Sequence, residues 1–93
     1  MSLLKNGSSG DDVKALQTKL GQLGFKVAVD GQYGPATTAA VKDLQGLFGY
    51  TVDGIVGPGT QQLIDQQIGY GWNLGLPDAK QRAQAAQGKV QKG

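Results

Sequence analysis

Val29-Asp30-Gly31-Gln32-Tyr33-Gly34-Pro35-Ala36-Thr37 aligns without a gap to Val52-Asp53-Gly54-Ile55-Val56-Gly57-Pro58-Gly59-Thr60, with six of nine positions identical. An internal repeat of this kind constrains the fold before any single residue does. In each copy Asp-Gly marks a turn, because the aspartate accepts backbone hydrogen bonds and the glycine supplies a positive φ. Pro35 and Pro58 then start helices, since proline at the first helical position has a suitable fixed φ and loses no needed donor.

Working outward, Val13-Lys14-Ala15-Leu16-Gln17 is echoed by Val41-Lys42-Asp43-Leu44-Gln45. Each echo leads to a glycine–aromatic step, Gly24-Phe25 and Gly49-Tyr50. Val13, Leu16, Leu20 and Leu23 recur at helical spacing and predict helix one over about residues 11–23. Asp11 and Asp12 suit its first turn, with Ser9 or Gly10 as N-cap and Gly24 past its end. Helix two is predicted over 35–47, with Ala40, Val41, Leu44 and Phe48 as its apolar face. Helix three starts at Pro58, carries Leu63, Ile64 and Ile68, and stops at Gly69. Helices this short are marginal alone and require a shared core. The expected fold is all-α: a compact three-helix bundle with an internal repeat and short Asp-Gly turns. The pieces 25–29 and 50–52 are too short for a sheet of any size; they pair briefly or tuck apolar side chains inward.

Residues 1–70 make one small domain on this reading, and residues 71–93 a Gly-, Ala- and Gln-rich tail or linker. Asp78 can cap a short helix there, with Ala79, Ala83, Ala86 and Val90 at helical spacing. Alanines bury little area, so weak docking at most is expected. Trp72, the one tryptophan, either plugs the base of the bundle or meets a partner.

Composition excludes much chemistry. The chain has no histidine, cysteine or glutamate, and its seven acids are all aspartates. The usual zinc sites and His-assisted nucleophiles cannot be built from this set. A glycosidase needs two carboxylates flanking the scissile bond, and the aspartates fall in turns and on exposed helix faces. No enzyme activity, cofactor or metal is expected, and a small hydrolase using paired aspartates is a remote third reading. Residues 1–70 carry net charge −1 and residues 71–93 carry +3, so the folded part lacks the basic face of a nucleic-acid binder. No segment is apolar enough to span a bilayer. The start, Met1 to Asn6, has no hydrophobic run long enough for a secretory signal. A signal has been removed, the chain is a fragment, or it is phage-encoded or released by lysis.

Val13-x-x-Leu16-Gln17-x-x-Leu20, Gly24-Phe25, Asp30-Gly31-x-Tyr33-Gly34-x-x-Thr37-x-x-Ala40-Val41-x-x-Leu44-Gln45 and Asp53-Gly54-Ile55-Val56-Gly57-Pro58-x-Thr60-x-x-Leu63 together resemble the three-helix peptidoglycan-binding domain found beside cell-wall hydrolases. The resemblance spans about residues 4–69. Leu44 stands where that family usually has Phe, and Gln67 falls at an apolar-looking position. The resemblance implies a non-catalytic module, monomeric, that anchors itself or a lytic enzyme to the cell wall or a periplasm-facing surface. Its partner would be peptidoglycan, through glycan strand or stem peptide, together with a cell-wall hydrolase or particle component. The alternative is an adaptor on the same fold, docking through the C-terminal tail in a phage-like or secretion particle. A cysteine-dependent protease pro-domain on a related bundle is excluded by composition.

The candidate ligand-binding residues are Asp30, Tyr33, Thr37, Gln45, Tyr50 and Asp53. Asp30 and Asp53 offer carboxylates to sugar hydroxyls or stem-peptide amines, but Asx turns are the preferred account. Thr37 and Thr60 are preferred as ties for the first helical turns. Gln17 and Gln45 offer both donor and acceptor and are preferred as loop bridges. Tyr33 is opposite Val56 in the repeat, so the turn itself needs no phenol; it and Tyr50 suit stacking on a sugar, but for Tyr33 a core ring with its hydroxyl at the surface is the preferred account.

Overall fold

The structure is a computed structural model describing residues 3–90, with side chains described to residue 86. Four helices follow one another: α1 (Asp11–Gln22), α2 (Pro35–Leu47), α3 (Pro58–Tyr70) and α4 (Ala79–Val90). The expected count of three is therefore one short, while the all-α class holds and no strand occurs among the described residues.

Each of the first three helices begins on a glycine N-cap without a side-chain cap: Gly10, Gly34 and Gly57. Pro35 and Pro58 occupy the first turns of α2 and α3. The predicted apolar stripes meet in one core, where Val13, Leu16, Leu20, Leu23, Val41, Leu44, Phe48, Leu63 and Ile64 are essentially inaccessible. A surface ion pair, Lys19 Nζ to Asp65 Oδ1 at 2.8 Å, spans α1 and α3. Pairs this exposed contribute at most about 1 kcal/mol.

α3 does not stop at Gly69. It continues to Tyr70 and ends on Gly71, whose φ of 77° is left-handed. Gly71 N–H donates to Ile68 O and Trp72 N–H to Gln67 O, closing the last carbonyls. The helix thus runs two residues further than expected and leads into Trp72, which is buried against the core.

The chain after Trp72 is docked, not trailing. Trp72 is 3% exposed, edge-on to Phe48 with ring centroids 5.1 Å apart, and tilted against Phe25 at 6.3 Å. Its indole Nε1–H donates to Ala79 O at 3.0 Å, fixing the start of α4. Ala79 and Ala83 are buried, and α4 packs on α2. The weak-docking expectation counted alanine area alone. It omitted the indole, which anchors the helix from outside it.

Gly24 shows how closely this segment approaches. Leu74 N–H donates to Leu23 O at 2.8 Å, and Asn73 Nδ2 donates to Gln22 O at 3.0 Å. A Cβ on Gly24 would lie 2.7 Å from Asn73 Oδ1, and its φ of 95° already disfavours a side chain.

The extended pieces between helices do not pair with each other. Phe25 turns inward and Val27 packs on the core, while Val29 and Val52 stay exposed. Pairing comes instead from the N-terminal segment. Leu4 and Val56 exchange both backbone hydrogen bonds, and Gly7 and Ser8 bond to Tyr33 across a second antiparallel contact that includes Ser9 and Gln32. Residues 4–10 thus run over both turns.

Candidate functional site

The two Asp-Gly turns are closed by two glutamines reaching from the preceding helices. Gln17 Oε1 accepts from Asp30 N–H at 3.0 Å and Gly31 N–H at 2.9 Å. Its Nε2 donates to Asp30 Oδ1, Gln32 O and Thr37 Oγ1 at 2.9–3.1 Å. Gln45 repeats the pattern: Oε1 accepts from Asp53 and Gly54 N–H, and Nε2 donates to Asp53 Oδ1, Ile55 O and Thr60 Oγ1. A carboxamide suits this task because one planar group offers donors on one side and an acceptor on the other. Gly31 and Gly54 adopt φ of 75° and 71°, and the stems of Lys14 and Lys42 lie over them.

Within each turn the aspartate carries a second bond. Asp30 Oδ1 accepts from Gln32 N–H, and Asp53 Oδ1 from Ile55 N–H, both at 2.9 Å, completing Asx turns. These backbone donors first, and the glutamine amides second, hold both carboxyls below the ordinary value of 3.8. A carboxyl depressed by folding stabilises the native state fully above its unfolded value. That contribution is lost as pH falls through the depressed folded value. Melting temperature followed against pH should therefore drop below about pH 4. The Asp30→Asn/Asp53→Asn double variant, which keeps the turn's acceptor oxygens, should give a shallower acid limb. Parallel limbs would remove the carboxylates from the account.

Tyr33 is 2% exposed, and its hydroxyl donates to Gly54 O at 2.6 Å. It ties the first turn to the second, which explains why its repeat partner Val56 needs no phenol. Burial, and then the charge of Asp53, push its hydroxyl up to about 12.

Of the six candidates, five are thus gathered in or between the turns. Asp30 and Thr37 share Gln17; Gln45 and Asp53 share the second turn; Tyr33 joins the two. Thr37, Gln45 and Tyr33 are buried, while Asp30 and Asp53 reach the surface. Tyr50 lies elsewhere, half-buried, on a cleft between α3 and α4.

Two concavities flank α3. One runs between α1 and α3, lined by Asp12, Lys19, Pro58, Gln61 and Asp65. The other, about 740 Å³, is bounded by Tyr50, Gln67, Tyr70, Trp72 and Arg82. Gln62 and Gln66 border both, so one ridge of amides on α3 separates them. The sequence signal for the second cleft was Gln67, an amide at an apolar register position. The role of Tyr70 depended on where α3 ends. Among the described residues no group of three or more Asp, Glu, His or Cys side chains could hold a metal, and no helix is long and apolar enough to cross a membrane.

The family model describing a peptidoglycan binding domain matches residues 9–64, a span that contains both glutamine-closed turns. The chain belongs to the peptidoglycan-binding domain family. It is 46% identical over 66 residues to the zinc D-Ala-D-Ala carboxypeptidase of Streptomyces albus G, covering 68% of this chain and 26% of that protein. With the N-acetylmuramoyl-L-alanine amidase CwlL of Bacillus licheniformis the identity is 47% over 66 residues, covering 68% of this chain and 18% of the amidase. The chain thus spans about a quarter or less of these curated relatives. Among solved structures, the SleB N-terminal domain superposes with a TM-score of 0.70 at 37% identity, covering 72% of this chain and 93% of that one. In this peptidoglycan-binding domain, Gln66, Gln67, Tyr70, Trp72 and all of α4 lie beyond the family match.

Proposed function

We propose that this chain is a non-catalytic module that binds peptidoglycan and holds an attached or associated lytic enzyme against the cell wall. The observation that carries the reading is the family match over both turns, each closed by its own buried glutamine. Membership supplies the ligand class; the closed turns make the frame rigid. What remains outward is a ridge of glutamine amides, tyrosine rings and two turn carboxylates, of which Asp30, Asp53 and Tyr50 stay available to ligand. Such groups suit sugar hydroxyls and peptide amides, and they include no histidine or thiol to drive hydrolysis. We assign residues 3–70 as the wall-binding unit and residues 71–90 as its docked extension. The adaptor reading is weakened because Trp72, Ala79 and Ala83 are already buried against the chain's own core.

Co-sedimentation with purified sacculi tests this directly. The protein should pellet with the wall at neutral pH, and it should leave no cleared band in a zymogram. Protein remaining in the supernatant would defeat the binding reading, and a cleared band would defeat the non-catalytic one.

A further inference from the structure

A further concavity lies between α2 and α4 and shares no lining residue with the two that flank α3. Its volume is about 540 Å³, within the roughly 300–1,000 Å³ of small-ligand sites. Phe25, buried, and Leu47, half-buried, give it apolar depth. Val52 and Leu74 add exposed apolar surface, at 54% and 37% exposure. They are two of the five large apolar side chains that the described residues leave exposed. Single exposed apolar residues are ordinary, but two that meet in one groove mark a binding surface.

The groove also carries charge that the fold does not consume. Lys42 comes from α2 and Lys80 from α4, so each helix contributes a cation. Both lysines are exposed. The ion pairs among the described residues engage Lys19 and Arg82, and neither of these two. Asp43 lines the groove as well, so two lysines against one aspartate leave it at +1. The stem of Lys42 lies over Gly54 as that of Lys14 lies over Gly31, a task for methylenes that needs no ammonium.

We propose that this groove seats the stem peptide of peptidoglycan, its carboxylates toward Lys42 and Lys80 and its small alkyl groups on Phe25, Leu47, Val52 and Leu74. A stem peptide is a short chain of alanines and carboxylate-bearing residues, so it matches both the apolar surface and the unpaired cations. The glycan backbone is mainly hydroxyl and acetamide and offers those ammoniums no opposite charge. Gln84, also on the groove, adds a donor and an acceptor for a peptide backbone. Leu74, Lys80 and Gln84 lie beyond the family match, so the site belongs to this chain's extension. It rests on the wall-binding reading for the ligand class and deepens it by naming the part of the wall.

The test is a chemical-shift titration of the full chain with four probes. These are a synthetic stem tetrapeptide, the same peptide with its carboxylates amidated, N-acetylglucosamine trimer, and an unrelated acidic peptide of equal length and charge. The tetrapeptide should move the Val52 and Leu74 methyls and the backbone amides of 42–47 and 80–84. Its affinity should fall as salt rises, and the amidated peptide should bind about tenfold more weakly. Lys42→Met and Lys80→Met keep an aliphatic stem and remove the charge; each should weaken binding by up to about fivefold, and the pair by about tenfold. Lys14→Met, the repeat counterpart outside the groove, should leave it unchanged. Equal binding of the amidated peptide, shifts confined to other faces, or wild-type affinity in the double variant would each overturn the site. The trimer moving the same residues would replace the peptide with the glycan, and equal binding of the unrelated peptide would make the groove a general acidic-peptide surface; both overturn it. Sacculus sedimentation separates the two levels: wall binding without groove shifts sinks the stem-peptide site alone, whereas failure to bind sacculi sinks the wall-binding reading.

Discussion

Trp72→Ala should destabilise the fold by about 3–5 kcal/mol, the range for removing a buried large aromatic. The indole fills the junction of three segments, against Phe25, Phe48 and the first turn of α4. Its loss empties that junction and removes the indole's hydrogen bond to the Ala79 carbonyl. α4 should suffer most, because its own buried side chains at the junction are the alanines Ala79 and Ala83. Urea unfolding would give the overall change, and far-UV circular dichroism in native buffer would show helix lost in proportion to α4. Trp72→Phe should recover much of the stability by keeping a ring in place. Small domains have only about 5–15 kcal/mol in total, so the alanine variant should be partly unfolded at physiological temperature. A cost below about 1 kcal/mol would mean that Trp72 is a bystander rather than the anchor of the docked helix.

Gln45→Ala should cost roughly 2–4 kcal/mol, more than an ordinary polar substitution, because it leaves buried groups without partners. Gly54 N–H, Asp53 N–H, Ile55 O and Thr60 Oγ1 all lose the same side chain at once. Gln45→Leu tests the same idea with volume kept. If hydrogen bonding is what matters, leucine should be nearly as damaging as alanine. Gln17→Ala should behave alike, since its contacts reproduce those of Gln45 around the first turn. Tyr33 links the turns through Gly54 O, so the Gln17/Gln45 double variant should depart from additivity. Denaturant midpoints close to wild type in both single variants would show the turns to be held by their backbones alone.

The first three helices were legible in the sequence because their determinants are local. Stripes at spacings of three and four, proline starts and the glycine stops after α1 and α2 need no knowledge of what packs where, whereas α3 runs through the expected stop at Gly69 to Gly71. The glutamine bridges were legible for the same reason, since each recurs beside a core leucine ahead of its turn. Other features rest on contacts between distant segments. Tyr33 looked available for ligand because its repeat partner is valine, yet its hydroxyl answers a carbonyl 21 residues away. α4 looked poorly anchored because its anchor sits seven residues before Ala79. The pairing of Leu4 with Val56 carries no pattern at all in a segment this short. Gln67 stood out only as an amide in an apolar register, and its setting required α4 in place.

Loops are ordinarily the adaptable part of a domain, with the regular elements as frame. The Gln17 and Gln45 networks reverse that division of labour here. A substitution within either turn disturbs half a dozen mutually dependent atoms, whereas the outward side of α3 can exchange one residue for another with little internal consequence. New ligand preferences in a scaffold of this design would therefore arise on helix surfaces, with the bends between them acting as its hinges' locks.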